Sequence, residues 1–225
     1  LVLTAGRSDT TSAREALSHL CETYWYPLYA YVRRRGHSPE DAQDLTQAFF
    51  ERLLEKNWVG DADQSRGRFR TFLLSAMNHF LADEWDKARA KKRGGGVRFV
   101  PLQFDTAETR YCVEPADPVT PERSFERRWA LTLLEGVLTR LRTEYEREGK
   151  GDLFAMLHPC LTGERTDQPY AQLADKLGVT EAAVKSAVHR LRQRYRHLLR
   201  NEIAQTVAAP SDVDEELRHF FAMLS

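Results

Sequence analysis

Residues 170–199 read YAQLADKLGVTEAAVKSAVHRLRQRYRHLL, and the spacing of Ala174, Gly178 and Val184 in this run leaves few folds open. A small residue lets two helices approach, a glycine four positions later makes the turn, and a buried valine six beyond anchors a second helix. This is the pattern of a helix-turn-helix. Leu173, Leu177, Val179, Val188 and Leu191 are expected to supply the remaining apolar contacts, and Thr180 to cap the second helix with Glu181 in its first turn. That helix would offer Lys185, Ser186, His189 and Arg190 to a major groove, which is wide enough for one α-helix. Arg192, Arg194 and Arg196 would follow on phosphates, positioning the protein without reading sequence. An amphipathic hairpin with a solvated basic face is the plain structural alternative.

Charge supports the nucleic-acid reading once it is resolved along the chain. The 225 residues carry 33 Lys+Arg against 33 Asp+Glu, a neutral mean that hides segregation. Six bases and no acid lie between Lys87 and Arg98, and six bases and no acid between Lys185 and Arg200. Residues 99–122 carry five acids against Arg110 alone, and residues 201–225 five acids against Arg218 alone. Two basic patches separated by an acidic stretch imply two nucleic-acid contacts in one chain.

The remaining pattern is helical, with no convincing strand alternation. Apolar residues recur at helical spacing over 14–35, where Arg33, Arg34 and Arg35 precede Gly36, a C-terminal signature; Pro27 is expected to kink or divide this helix. Ser38-Pro39-Glu40-Asp41 opens a second helix with Leu45, Phe49 and Leu53 on one stripe, and a third is expected from Phe69 to Lys92 after a loop over 59–67. Glycine and proline across 94–120 suggest a linker. Thr120-Pro121-Glu122 opens a long helix to about Glu148, Asp152 would cap a short one, and Ser211 would cap the last. The expected fold is all-α: two small helical domains, 1–93 and 121–201, joined by a flexible acidic linker, 94–120, with a C-terminal helical extension, 202–225.

Function classes are narrowed by what is missing. No H-E-x-x-H, glycine-rich phosphate loop or G-x-S-x-G occurs, so no catalytic residue, cofactor, metal or small-molecule substrate is expected. Cys21, Cys112 and Cys160 stand far apart, and the first ten residues show neither basic leader nor apolar core; a reduced, cytoplasmic protein without membrane span is the expectation.

Three runs then carry a family resemblance. AAVKSAVHRLRQRYRHL is similar to the last helix of region four in bacterial RNA polymerase sigma factors of the sigma-70 family, extracytoplasmic-function group. YWYPLYAYVRRRGHSPEDAQDLTQAFFERLLEK resembles their region-two core, and GRFRTFLLSAMNHFLADEWDKARAKKRG the segment after it. The resemblance implies a specificity subunit, not an enzyme: a protein that binds core RNA polymerase and directs promoter recognition and transcription initiation. By the same resemblance, Arg66, Arg68, Phe69, Arg70 and Phe72 would surround an unstacked minus-ten base, with Asn78 and His79 nearby and Lys87, Arg89, Lys91, Lys92 and Arg93 on phosphates. Phe69 and Phe72 stand equally at core spacing, and the offset of Asp83 from the family's aspartate leaves its role open. Thr180, Lys185, Ser186, His189, Arg190, Arg192 and Arg194 would meet the minus-thirty-five element.

Asp41, Asp44, Gln47 and Glu51 would face the coiled coil of the β′ clamp, with the β subunit as a further contact. Gln43 and Ala48 replace two usual glutamates there. Thr46 replaces a usual valine, either as packing or as a phosphosite restoring charge. The family implies an inhibitory anti-sigma protein or modification, and a linker threaded through polymerase channels. The last helix is expected to pack on region four, with docking of a regulator as the other reading. A dimeric helix-turn-helix regulator acting without polymerase is the alternative to a sigma role.

Overall fold

The computed structural model describes residues 11–55, 68–90, 104–113, 120–161, 170–207 and 209–224. Every regular element among them is helical: α1 (Thr11–Arg34), α2 (Pro39–Glu55), α3 (Phe69–Ala90), α4 (Phe104–Val113), α5 (Pro121–Arg147), α6 (Gly151–Leu157), α7 (Tyr170–Leu177), α8 (Glu181–Ala204) and α9 (Val213–Ala222), with single 3-10 turns at His158–Cys160 and Pro210–Asp212. The expected loops at 59–67 and 162–168 lie outside the described residues. Two compact units divide the chain, one up to Thr132 and again from Ala204, the other Leu133–Ile203.

The first unit has an aromatic core. Leu28, Val32, Phe49, Leu73, Met77, Phe125 and Phe220 are almost completely buried. Tyr24 meets Phe69 edge-on at 5.6 Å and stacks on Trp129 at 6.3 Å, while Phe49 meets Phe80 at 5.7 Å. These contacts explain why Pro27 does not divide α1, which runs unbroken through it. One backbone bond is lost, but Tyr24, Leu28 and Tyr31 are all buried in the surrounding turns and hold them in register. Gly36 takes the left-handed conformation at φ +92° and ends α1, and the Ser38 hydroxyl accepts from the Asp41 N–H at 3.1 Å to start α2, both as the sequence suggests.

Three features of this unit depart from expectation. The stretch 94–120 is not irregular throughout, because α4 forms within it and docks on α1. Glu108 accepts from Arg33 at 2.9 Å and from the Tyr29 hydroxyl, Ala107 is buried, and Arg110 lies 4.1 Å over the Tyr26 ring. Tertiary ion pairing holds a helix whose own sequence signals one weakly. The second departure is α9, which belongs to this unit and not to the helix-turn-helix: Phe220 meets Trp129 edge-on at 5.8 Å, and Glu216 pairs with Arg70. The third is the N-terminal half of α5, whose Phe125 and Trp129 complete the same core, so the expected boundary at 121 falls instead at Thr132.

The second unit is built on Leu133, Val137 and Leu141 of α5, Phe154 and Leu157 of α6, Leu173 and Ala174 of α7, and Val184, Val188, Leu191 and Leu198 of α8, all buried. Thr120 and Thr180 cap α5 and α8 as expected, accepting from the N–H groups of Arg123 at 3.3 Å and Ala183 at 3.2 Å. Asp152 and Ser211 do not cap: Asp152 lies in the first turn of α6, and Ser211 donates to Asp212 at 3.1 Å inside a 3-10 turn.

Candidate nucleic-acid interface

In the second unit, α7 and α8 are joined by a short turn at Gly178–Thr180. Gly178 sits at φ +64°, and the Val179 N–H donates to the Ala174 carbonyl at 3.0 Å, closing the turn of α7. Ala174 and Val184 are buried as their spacing requires. Val179 is 47% exposed and leaves the apolar set expected for it, since it follows the turn glycine and precedes the Thr180 cap.

The α8 cations fall into two kinds. Lys185, Ser186, His189 and Arg190 are exposed, at positions that recur along one side of the helix. Lys185 also pairs with Glu181 at 2.7 Å, one helical turn earlier, and that hydrogen bond raises its pKa. Arg192 donates twice to the Cys160 carbonyl, at 2.9 and 3.3 Å, and so caps the 3-10 turn after α6. Arg194 forms a bidentate pair with Glu144, both contacts 2.8 Å; the hydrogen bonds from Arg194 hold the Glu144 carboxyl below its ordinary pKa. These two arginines, expected on phosphates, tie α8 to its own domain.

In the first unit the expected minus-ten residues are dispersed. Phe69 is buried against Tyr24, and Phe72 is half-buried, its ring 5.9 Å from that of Phe69. Arg70 is only 2% exposed, pairs with Glu216, and lies 4.8 Å over the Trp129 ring. Burial, then the neighbouring Arg68 cation, lowers its pKa to about 10, so it stays charged at neutral pH. Arg68 pairs with Glu216 at 2.7 Å and Glu215 at 3.5 Å. The Asn78 amide oxygen accepts from Tyr31 at 2.6 Å and Arg35 at 2.8 Å, whereas its neighbour His79 is exposed. Asp83 pairs with Arg52 at 3.1 Å, a role inside the unit. Lys87 is exposed and pairs with Glu84 at 2.7 Å; Arg89 lies in the last turn of α3, and Arg66, Lys91, Lys92 and Arg93 lie outside the described residues.

Trp85 was not anticipated. It is 64% exposed, two residues from Lys87, and gives a stacking surface beside a cation. Its signal in the sequence was a large aromatic among charges, off the apolar stripe of α3.

The α2 face is assembled as the sequence suggests. Asp41, Asp44 and Glu51 are exposed at helical spacing, and Gln47 between them donates to Glu51 at 3.0 Å. Gln43 is buried, so it does not belong to that face. Thr46 is fully buried, and its hydroxyl donates to the Ala42 carbonyl at 2.7 Å. In this fold that oxygen is not presented to a kinase.

Among the described residues no group of acidic, histidine or cysteine side chains is placed to hold a metal ion, and no helix is long and apolar enough to cross a membrane. Comparison with curated proteins and with solved structures returned no match. Among family models, the one described as Sigma-70 region 2 matches residues 20–91, a span that takes in α2, α3 and most of α1. The likeness is therefore to sigma-70 region 2 and spans about a third of the chain.

Proposed function

We propose that this protein is an alternative sigma factor of the extracytoplasmic-function type, which binds core RNA polymerase in the cytoplasm and directs initiation at promoters with two spaced elements. The observation that carries the proposal is the pairing of a region 2 domain over 20–91 with a helix-turn-helix at α7–α8 in the order such a subunit requires. Asp41, Asp44, Gln47 and Glu51 are the contacts to the clamp coiled coil of β′, where their carboxylates suit a basic partner. Lys185, Ser186, His189 and Arg190 read the minus-thirty-five element, with lysine and arginine favouring guanine O6 and N7. His79, Trp85, Lys87 and the cations after it take the minus-ten strand, joined by Arg68 and Arg70 when these are released. Thr46 acts in packing; its buried hydrogen bond supports that role over phosphorylation.

An inhibitory protein partner would cover the α2 face. The test is reconstitution: purified chain and core polymerase should give transcripts from two-element promoters, and core polymerase alone should not. Asp44→Ala with Glu51→Ala should abolish co-purification with core while leaving the helical circular dichroism intact. Tight, polymerase-independent binding of a dimer to a palindrome would replace this reading with that of a conventional regulator.

A further inference from the structure

The chain carries its own anion at the place where region two would hold a nucleic-acid backbone. Arg68 and Arg70 start α3; Glu215 and Glu216 lie on α9, some 145 residues later. Glu216 takes both guanidinium groups at once, Arg68 at 2.7 Å and Arg70 as a buried pair, and Glu215 adds a second contact to Arg68. Phe220 then closes the edge of Trp129, the ring over which Arg70 lies. One short helix therefore occupies two cations, the groups that a single strand needs for its phosphates.

We propose that α9 is an intramolecular inhibitor that masks Arg68 and Arg70 from single-stranded nucleic acid and is displaced when the strand binds. The inference rests on the region-two reading given above. Arg70 is buried while it pairs with Glu216 on α9, so a phosphate reaches it only once that helix is displaced. The attachment suits an exchangeable element. Only Val213, Glu216 and Phe220 of the ten residues of α9 are buried, and the residues just before it form a turn and a 3-10 turn. A fixed core helix would carry a wider apolar stripe. Glu216 is also the point of failure: without its charge, Arg70 keeps only the Glu126 carboxylate, 3.7 Å away, which favours undocking.

The experiment uses the full chain, a fluorescein-labelled single-stranded oligonucleotide of random sequence, and hydrogen exchange of the α9 amides, each with and without core polymerase. If the undocked state is about a tenth of the wild-type population, Glu216→Gln should tighten binding about tenfold. In the wild type, saturating oligonucleotide should strip exchange protection from Val213–Ala222. Equal affinities for wild type and variant, with α9 still protected when the oligonucleotide is bound, would make α9 a fixed part of the domain and overturn the proposal while leaving the region-two reading intact. If Glu216→Gln does not fold, the wild-type exchange result decides by itself. If no form of the chain binds the oligonucleotide even with core polymerase present, the region-two reading fails, and the inhibitor with it.

Discussion

Arg68 and Arg70 in the first unit and Lys185 and Arg190 in the second are helix cations in opposite surroundings. Arg70 is buried under α9, against an indole ring and a carboxylate, and Arg68 is half covered by the same acidic helix. Lys185 and Arg190 are exposed on α8, and Lys185 pairs with a helical-turn neighbour, Glu181, that solvent screens. The difference shows how little a count of basic residues says about availability. The burial that makes an arginine strong in an ion pair also withdraws it from a ligand, and the two properties are set by the element lying opposite. For Arg70 that element is about as far away in sequence as this chain allows.

The largest effect that would test this contrast is on stability. Glu216→Ala leaves buried Arg70 with only Glu126, 3.7 Å away, so it should cost the first unit up to about 3 kcal/mol, reduced to the extent that α9 undocks and lets water reach Arg70. Glu144→Ala removes the partner of Arg194 at a more exposed place and should cost at most about 1 kcal/mol. Urea unfolding followed by circular dichroism reads both. Similar losses for the two variants would mean that the buried and exposed pairs are energetically alike, and the comparison would fail.

Next in size is the effect on recognition. Arg190→Ala should cost about 1–3 kcal/mol at particular base pairs of the minus-thirty-five element while leaving the unfolding midpoint unchanged. Lys185→Ala should act in the same selective way. Competition binding of the reconstituted holoenzyme to point-mutated promoters is the measurement. A uniform loss over all sequences would move these two residues from base contacts to phosphates.

Arg194 sharpens the contrast because it lies between the two extremes. A free phosphate contact would lower the salt slope by about one unit when replaced by alanine. The bidentate pair with Glu144 predicts instead that Arg194→Ala leaves the slope nearly unchanged, and that Glu144→Gln, by freeing the guanidinium, steepens it. Salt titrations of duplex binding for the two variants separate these outcomes.

The helix-turn-helix was legible residue by residue, since Ala174, Gly178, Val184 and Thr180 act through local spacing and the structure uses each as that spacing implies. The same holds for the caps at Ser38 and Thr120 and for the acidic face of α2. What sequence did not disclose depends on distant partners. Phe69 stands at a spacing that suits core or ligand equally, and Tyr24 decides between them. Nothing near Arg70 announces Glu216. Arg192 and Arg194 read as phosphate contacts because the Cys160 carbonyl and Glu144 that hold them come from other elements. Helix α4 was hidden because its hold on α1 is polar, through Glu108, more than apolar.

That polar hold yields the smallest of the expected effects. Burial disfavours the Glu108 carboxylate, but hydrogen bonds from Arg33, Tyr29 and Cys112 outweigh it and keep the pKa below the usual value. A carboxyl depressed in the folded state contributes stability that is complete above its unfolded pKa, about 4.3, and is lost as pH falls through the lower, folded value. The docking of α4 on α1 should therefore be constant from pH 7 down to about pH 5 and weaken below that. The pair is partly open to solvent, with side chains 18% and 21% exposed, so the change should stay within about 1 kcal/mol. Hydrogen exchange over Phe104–Val113, corrected for the intrinsic pH dependence of exchange, should show protection falling on acidification in the wild type. Glu108→Gln should be less protected at neutral pH and insensitive to acidification. Matching pH profiles in the two proteins would assign the docking of α4 to Ala107 and to the stacking of Arg110 on Tyr26, and the Glu108 contact would then be an accessory to a helix held by packing.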